Sequence, residues 1–145
     1  MARGKRPRLT RADRVRIHRA VNRVEQTTGL DFSVCLCHPT GEEPHVQAER
    51  MFAEHGLHTK PAVLIAVVPE SRRIEIRTSA DAVARGVDDS TCQAAVDHML
   101  PMLANGNLVG GLAAGLEFFE RVAGQDPAGR SKNVVGADDV VDGDN

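Results

Sequence analysis

Tryptophan and tyrosine are missing from this chain, and four phenylalanines supply its whole share of large aromatic rings. That scarcity counts against RNA modules that stack bases on aromatic side chains. It also leaves aliphatic side chains to fill the core, for which a 41% apolar content over 145 residues is sufficient. Cysteine is scarce as well. Cys35, Cys37 and Cys92 do not make a disulfide framework. Cys35 and Cys37 point the same way from one strand but lie too far apart for an unstrained bridge. No run reaches the ~18 apolar residues of a membrane span, and the basic N-terminus lacks the apolar segment of a secretory signal. The expectation is a cytoplasmic protein, or one peripheral to a membrane.

Charge is abundant and unevenly spread. Arg3, Lys5, Arg6, Arg8, Arg11, Arg14, Arg16, Arg19 and Arg23 precede residue 24 with Asp13 alone opposing them. After Gly124, Asp126, Asp138, Asp139, Asp142 and Asp144 face Arg130 and Lys132. Residues 1–8 read as a flexible basic arm, 9–123 as one domain, and 124–145 as a disordered acidic tail rich in Gly and Asp.

Thr10 and Asp13 have the spacing of a capping box and predict a helix start, with Arg16, Arg19 and Arg23 clustered away from Ile17, Val21 and Val24. Gly29 supplies a left-handed stop. Residues 30–38 alternate as a strand, and residues 44–55 form a helix with Val46, Met51 and Phe52 inward. Residues 62–68 are apolar on both faces, the mark of a central strand. Pro69 turns the chain into residues 72–78, where Ile74 and Ile76 face a core and Arg73, Glu75 and Arg77 face water, as suits a sheet edge. A short helical turn follows at 80–85. Asp88, Asp89 or Ser90 then caps a helix that Pro101 ends or kinks. The last helix, residues 108–123, places Leu108, Leu112, Gly115, Phe119 and Val122 on one side, with its glycines allowing close packing. The fold class that follows is α/β: a small three-layer sandwich, with a mixed central sheet of about three or four strands and helices on both faces.

"GVDDSTCQAAVDHMLPMLANGNLVGGLAAGLEFFERVAG" resembles the C-terminal part of the TPM domain, named for thylakoid-lumen, photosystem II repair and nematode membrane proteins. Pro101, Gly106, Asn107, Gly111 and Gly115 fit its turn and Gly-spaced helix. "VLIAVVPESRRIEIRTS" and "TTGLDFSVCLC" are similar to its hairpin and its first helix-to-strand passage. The likeness covers roughly residues 9–123 and suggests a divergent actinobacterial-type member. It implies a four-stranded sandwich, often exported and membrane-tethered, and in some plant members a calcium-containing acid phosphatase. Where that family often carries Asp-Asn-Gly, this chain has Lys60-Pro61-Ala62, and Ser79 replaces its usual glycine.

Asp81, Asp88 and Asp89 are the carboxylates that could hold calcium, which needs six to eight oxygens; their plainer role is helix capping. Lys60, Arg73 and Arg77, with His58, could form a rim for phosphate or carboxylate, or simply a solvated strand face. Cys35, Cys37, His38 and His45 raise the question of zinc, but a strand splits those ligands between its faces, and buried thiols fit better. Cys92 and His98 lie on different sides of their helix, which removes the obvious nucleophile and base. Gly106 to Gly115 lacks the order of a nucleotide loop.

The expected function is non-catalytic: a TPM-like interaction domain binding a protein partner or an anionic membrane surface through Arg16, Arg19 and Arg23, with no cofactor. The alternatives are a weak calcium-dependent acid phosphatase using Asp81, Asp88, Asp89, Arg73 and Arg77, and non-specific nucleic-acid binding by the basic arm.

Overall fold

The computed structural model describes residues 9–123 and 140–142. The basic arm at 1–8 lies outside the described residues, as does the acidic tail apart from one short strand.

Helix α1 (Arg11–Thr28) begins as its sequence predicts. Thr10 Oγ1 accepts from the Asp13 N–H at 3.0 Å while Asp13 Oδ2 accepts from the Thr10 N–H at 2.9 Å. These reciprocal bonds satisfy two donors that a helix start leaves without partners. Gly29, at φ 76°, ends the helix in the left-handed region that a side chain disfavours. Strand β1 (Asp31–Leu36), helix α2 (Pro44–Glu54) and strand β2 (Ala62–Val68) follow. Strand β3 (Arg73–Thr78) returns antiparallel to β2 through a short 3-10 turn at Pro69–Ser71. The short helix α3 (Ala80–Ala84) leads to α4 (Asp89–Ala104) and α5 (Leu108–Ala123). Strand β4 (Val140–Asp142), unforeseen in the sequence, joins β1 in parallel. The sheet order is β3-β2-β1-β4, with β1 and β2 also parallel.

This is the expected small α/β fold with helices on both faces of a mixed sheet. Every residue of β2 is buried. Val63, Ile65 and Val67 point into a large core with α1, α4 and α5, while Ala62, Leu64, Ala66 and Val68 point into a smaller one beneath α2. Strand β1 and the residue after it divide likewise, Phe32, Val34 and Leu36 to the first core, Cys35 and Cys37 to the second. The period-2 alternation of a strand accomplishes this sorting.

Three local expectations are corrected. Of the two expectations at Pro101, an end and a kink, the end is corrected: helix α4 runs another turn to Ala104, because Pro101 removes one N–H without preventing the flanking turns from packing. Val46 on α2 and Val122 on α5 are exposed. Gln47 and Ala48 take the inner face of α2. Helix α5 lies between α1 and α4, so Leu116 and Ala123 are buried along with Leu112 and Phe119, while Val122 is left on the outer side. Close packing at the glycines is real. A Cβ on Gly115 would sit 2.6 Å from the Met99 sulfur, and one on Gly111 would touch the Met99 carbonyl at 3.4 Å.

Candidate functional site

The three arginines singled out on α1 line a groove between α1 and α5. Its volume is about 830 Å³. From α1 come Arg11, Ala12, Val15, Arg16, Arg19, Ala20 and Arg23; from α5 come Ala113, Glu117 and Glu120. The α1 residues recur at three- and four-residue steps, which stacks them on one helical face. Alanines at 12, 20 and 113 leave the concavity open, and Val15 lies exposed in it. The outcome is an apolar floor with a cationic wall and an acidic wall.

One end of the groove is clasped. Arg23 Nε lies 3.4 Å from Glu120 Oε2, and the Thr27 hydroxyl donates to the same carboxylate at 3.4 Å. Arg16 and Arg19 have no ion-pair partner among the described residues, and both are exposed. The walls therefore differ in readiness: Arg23 is already engaged, whereas Arg16 and Arg19 present charge outward. Sequence reasoning found the arginines from their helical spacing but missed Glu117 and Glu120. Nothing local pairs residue 23 with residue 120.

The other basic candidates do not form one open cationic rim. Lys60 Nζ lies 3.3 Å from Asp31 Oδ2, linking the starts of β2 and β1. Arg77 pairs with Glu49 on α2, and His58 Nε2 lies 3.5 Å from that same residue's Oε2. Arg73 lies 3.7 Å from Glu75. Each cation thus faces a carboxylate in the chain itself.

Asp81 and Asp89 sit in the first turns of α3 and α4, and Asp88 caps α4, its carboxylate accepting from the Thr91 N–H at 3.0 Å. That bond holds Asp88 below the usual carboxylate value. Among the described residues, no three His, Cys, Asp or Glu side chains are grouped to hold a metal ion, so the three aspartates are not brought together. Cys92 is half-buried; desolvation, then Asp89 and Asp88, push its thiol up to about 11. It stays protonated at neutral pH and is a poor nucleophile. Ser79, which replaces a glycine in the TPM resemblance, has a structural task. Its buried hydroxyl accepts from the Ala62 N–H at 2.9 Å and from the Ala82 N–H at 3.2 Å, joining β2 to α3.

Among the described residues no helix is long and apolar enough to cross a membrane. The fold is similar to solved structures of low sequence identity. The NMR structure of the BA42 protein from the psychrophilic bacterium Bizionia argentinensis aligns with a TM-score of 0.82 at 17% identity, covering 99% of this chain and 100% of that one. An N-terminal domain from P. gingivalis aligns with a TM-score of 0.72 at 16% identity, covering 87% and 83%. An N-terminal domain of a Corynebacterium glutamicum protein gives 0.67 at 17%, covering 83% and 78%. These likenesses show the fold. No curated protein matches the chain. Residues 3–120 match the family described as a domain of unknown function, DUF5130, and the chain belongs to that family.

Proposed function

We propose that this chain is a non-catalytic, TPM-like interaction domain whose α1–α5 groove takes an acidic, amphipathic segment of a protein partner. The observation that carries the reading is the pairing of an apolar floor with two cations, Arg16 and Arg19, that no described carboxylate engages. An apolar stripe on the incoming segment would cover Val15 and the alanines, and its carboxylates would meet the arginines bidentately. The shape and the opposite wall favour a peptide over a bilayer. Glu117 and Glu120 would repel anionic headgroups, and a concave seam contacts a planar surface poorly.

The test is a selection from a displayed library of helical peptides, with the full chain as bait. Enriched peptides should be amphipathic and acidic, should shift NMR signals of the groove residues, and should lose binding to an Arg16→Glu, Arg19→Glu chain. Enrichment without acidic bias, or binding indifferent to the double substitution, overturns the proposal. Arginine-dependent sedimentation with phosphatidylserine vesicles, without peptide binding, replaces it with a membrane role.

A further inference from the structure

Beneath α2, on the opposite side of the sheet from the groove's helices, three sulfur atoms meet. Cys35 Sγ and Cys37 Sγ are 3.1 Å apart, and Met51 Sδ lies 3.4 Å from the first and 3.6 Å from the second. Strand β1 and its extension by one residue place both cysteines on one face, and the inward side of α2 sets Met51 above them. Cys35, Cys37 and Met51 are all buried, in company with Phe52, Leu64, Ala66 and Val68. Cys92 and Met99 belong to the other core.

We propose that Cys35, Cys37 and Met51 form a buried three-sulfur site for Cu(I). Thiolate and thioether are soft donors and select Cu(I) among the metals a cell offers. Zinc wants four ligands in a tetrahedron, and among the described residues no group of three His, Cys, Asp or Glu side chains could begin such a set. Cu(I) is content with three sulfurs in a plane. With metal–sulfur bonds near ~2.3 Å, a planar site spreads its sulfurs to about 4 Å, so the triangle must open by less than an ångström. The Cys35–Cys37 edge must widen most, which rotation of the two cysteine side chains supplies, and the unbranched thioether of Met51 follows through its several soft torsions.

Binding requires no change of oxidation state. Each thiol gives its proton to solvent as its sulfur donates an electron pair to the metal, and Met51 donates a pair without losing a proton. The described side chains packed around the sulfurs, Phe52, Leu64, Ala66 and Val68, are hydrocarbon, which suits Cu(I) better than Cu(II). Entry requires α2 to move. Among the described residues this eleven-residue helix is the one long helix on its face, held near the end of β1 by a Gln47 Nε2 bond to the His38 carbonyl at 3.0 Å. Local opening of such a lone element costs less than global unfolding.

The experiment is anaerobic titration of the full chain with Cu(I) against bicinchoninate, followed by X-ray absorption of the retained metal. One equivalent should be retained, with sulfur as the sole ligand type. Cys35→Ala and Cys37→Ala should each weaken retention by more than the roughly tenfold to hundredfold typical of changes outside the ligand shell. Met51→Leu nearly conserves volume, so it keeps the test open if a cysteine variant fails to fold. It should weaken retention while leaving the circular dichroism spectrum unchanged, and Cys92→Ser should change nothing. No retention against the competitor overturns the proposal. So do nitrogen or oxygen ligands in the absorption spectrum, and so does Met51→Leu retaining Cu(I) as well as the parent chain.

Discussion

On one side of the sheet three long helices, α1, α4 and α5, bury a core built from aliphatic side chains and the tilted pair Phe32 and Phe119, whose rings lie 5.5 Å apart. On the other side α2 covers a small patch with one phenylalanine, Phe52, and a cluster of sulfur. The first core is thick enough that α5 is buried between two neighbours, which explains the tight glycines facing Met99. The second is one helix deep and is held at its margin by polar links: Arg77 to Glu49, Gln47 to the His38 carbonyl, and Arg50 to Glu42 at 2.8 Å. The difference teaches that hydrocarbon fixes the fold from one side, while the other side is light enough to open.

The sharpest way to break this comparison is to hollow each core in turn. Phe119→Ala should cost about 3–5 kcal/mol in urea denaturation, because the rigid helices around it cannot collapse into the space. Phe52→Ala should fall at or below the lower end of that range, because α2 alone can settle. An equal or greater loss at Phe52 would show that the thin face is as well braced as the thick one. Ser79→Ala comes next. It leaves the Ala62 N–H buried without its acceptor and should cost about 1–3 kcal/mol by the same measurement.

A smaller effect is expected at the rim of the thin face. Arg77→Gln removes the link to Glu49, but both side chains are more than a third exposed, so the loss should stay below about 1 kcal/mol and shrink further in high salt. Smallest is the response to acid, which samples both faces. A hydrogen bond from Arg50 holds Glu42 below its usual value on the thin side, and the Thr91 N–H does the same for Asp88 on the thick side. Both folded-state values lie below the unfolded ones. Their stabilisation is therefore complete above the ordinary carboxylate range and is lost as pH falls through the folded values. Melting temperatures measured from pH 7 to pH 3 should fall below about pH 4, and Asp88→Asn should flatten part of that fall.

Much of the fold was legible from local pattern. Thr10 and Asp13 announce a cap, Gly29 a stop, residues 62–68 a central strand, and Arg73, Glu75 and Arg77 a flank, because each signal rests on neighbours a few positions away. Asp88 was readable as a cap for the same reason. What escaped depends on distant partners. Glu120 becomes part of the groove only because α5 lies against α1, and Met51 reaches Cys35 and Cys37 only because α2 crosses their strand. Val46 and Val122 look like core residues in a helical pattern until neighbouring elements decide which faces are covered. The arginine wall was thus foreseeable, whereas the acidic wall and the sulfur triangle required the fold.

Ser79 carries a consequence beyond stability. The β2–β3 hairpin could in principle slide by one residue, which would turn Arg73, Glu75 and Arg77 toward hydrocarbon and Ile74 and Ile76 toward water. The Ser79 hydroxyl bonds Ala62, and the Ser79 N–H donates to the Ala62 carbonyl at 3.0 Å, so the two strands are locked at the end opposite their turn. Ser79 therefore acts as a registration mark: its alcohol and its backbone N–H together fit only the aligned hairpin.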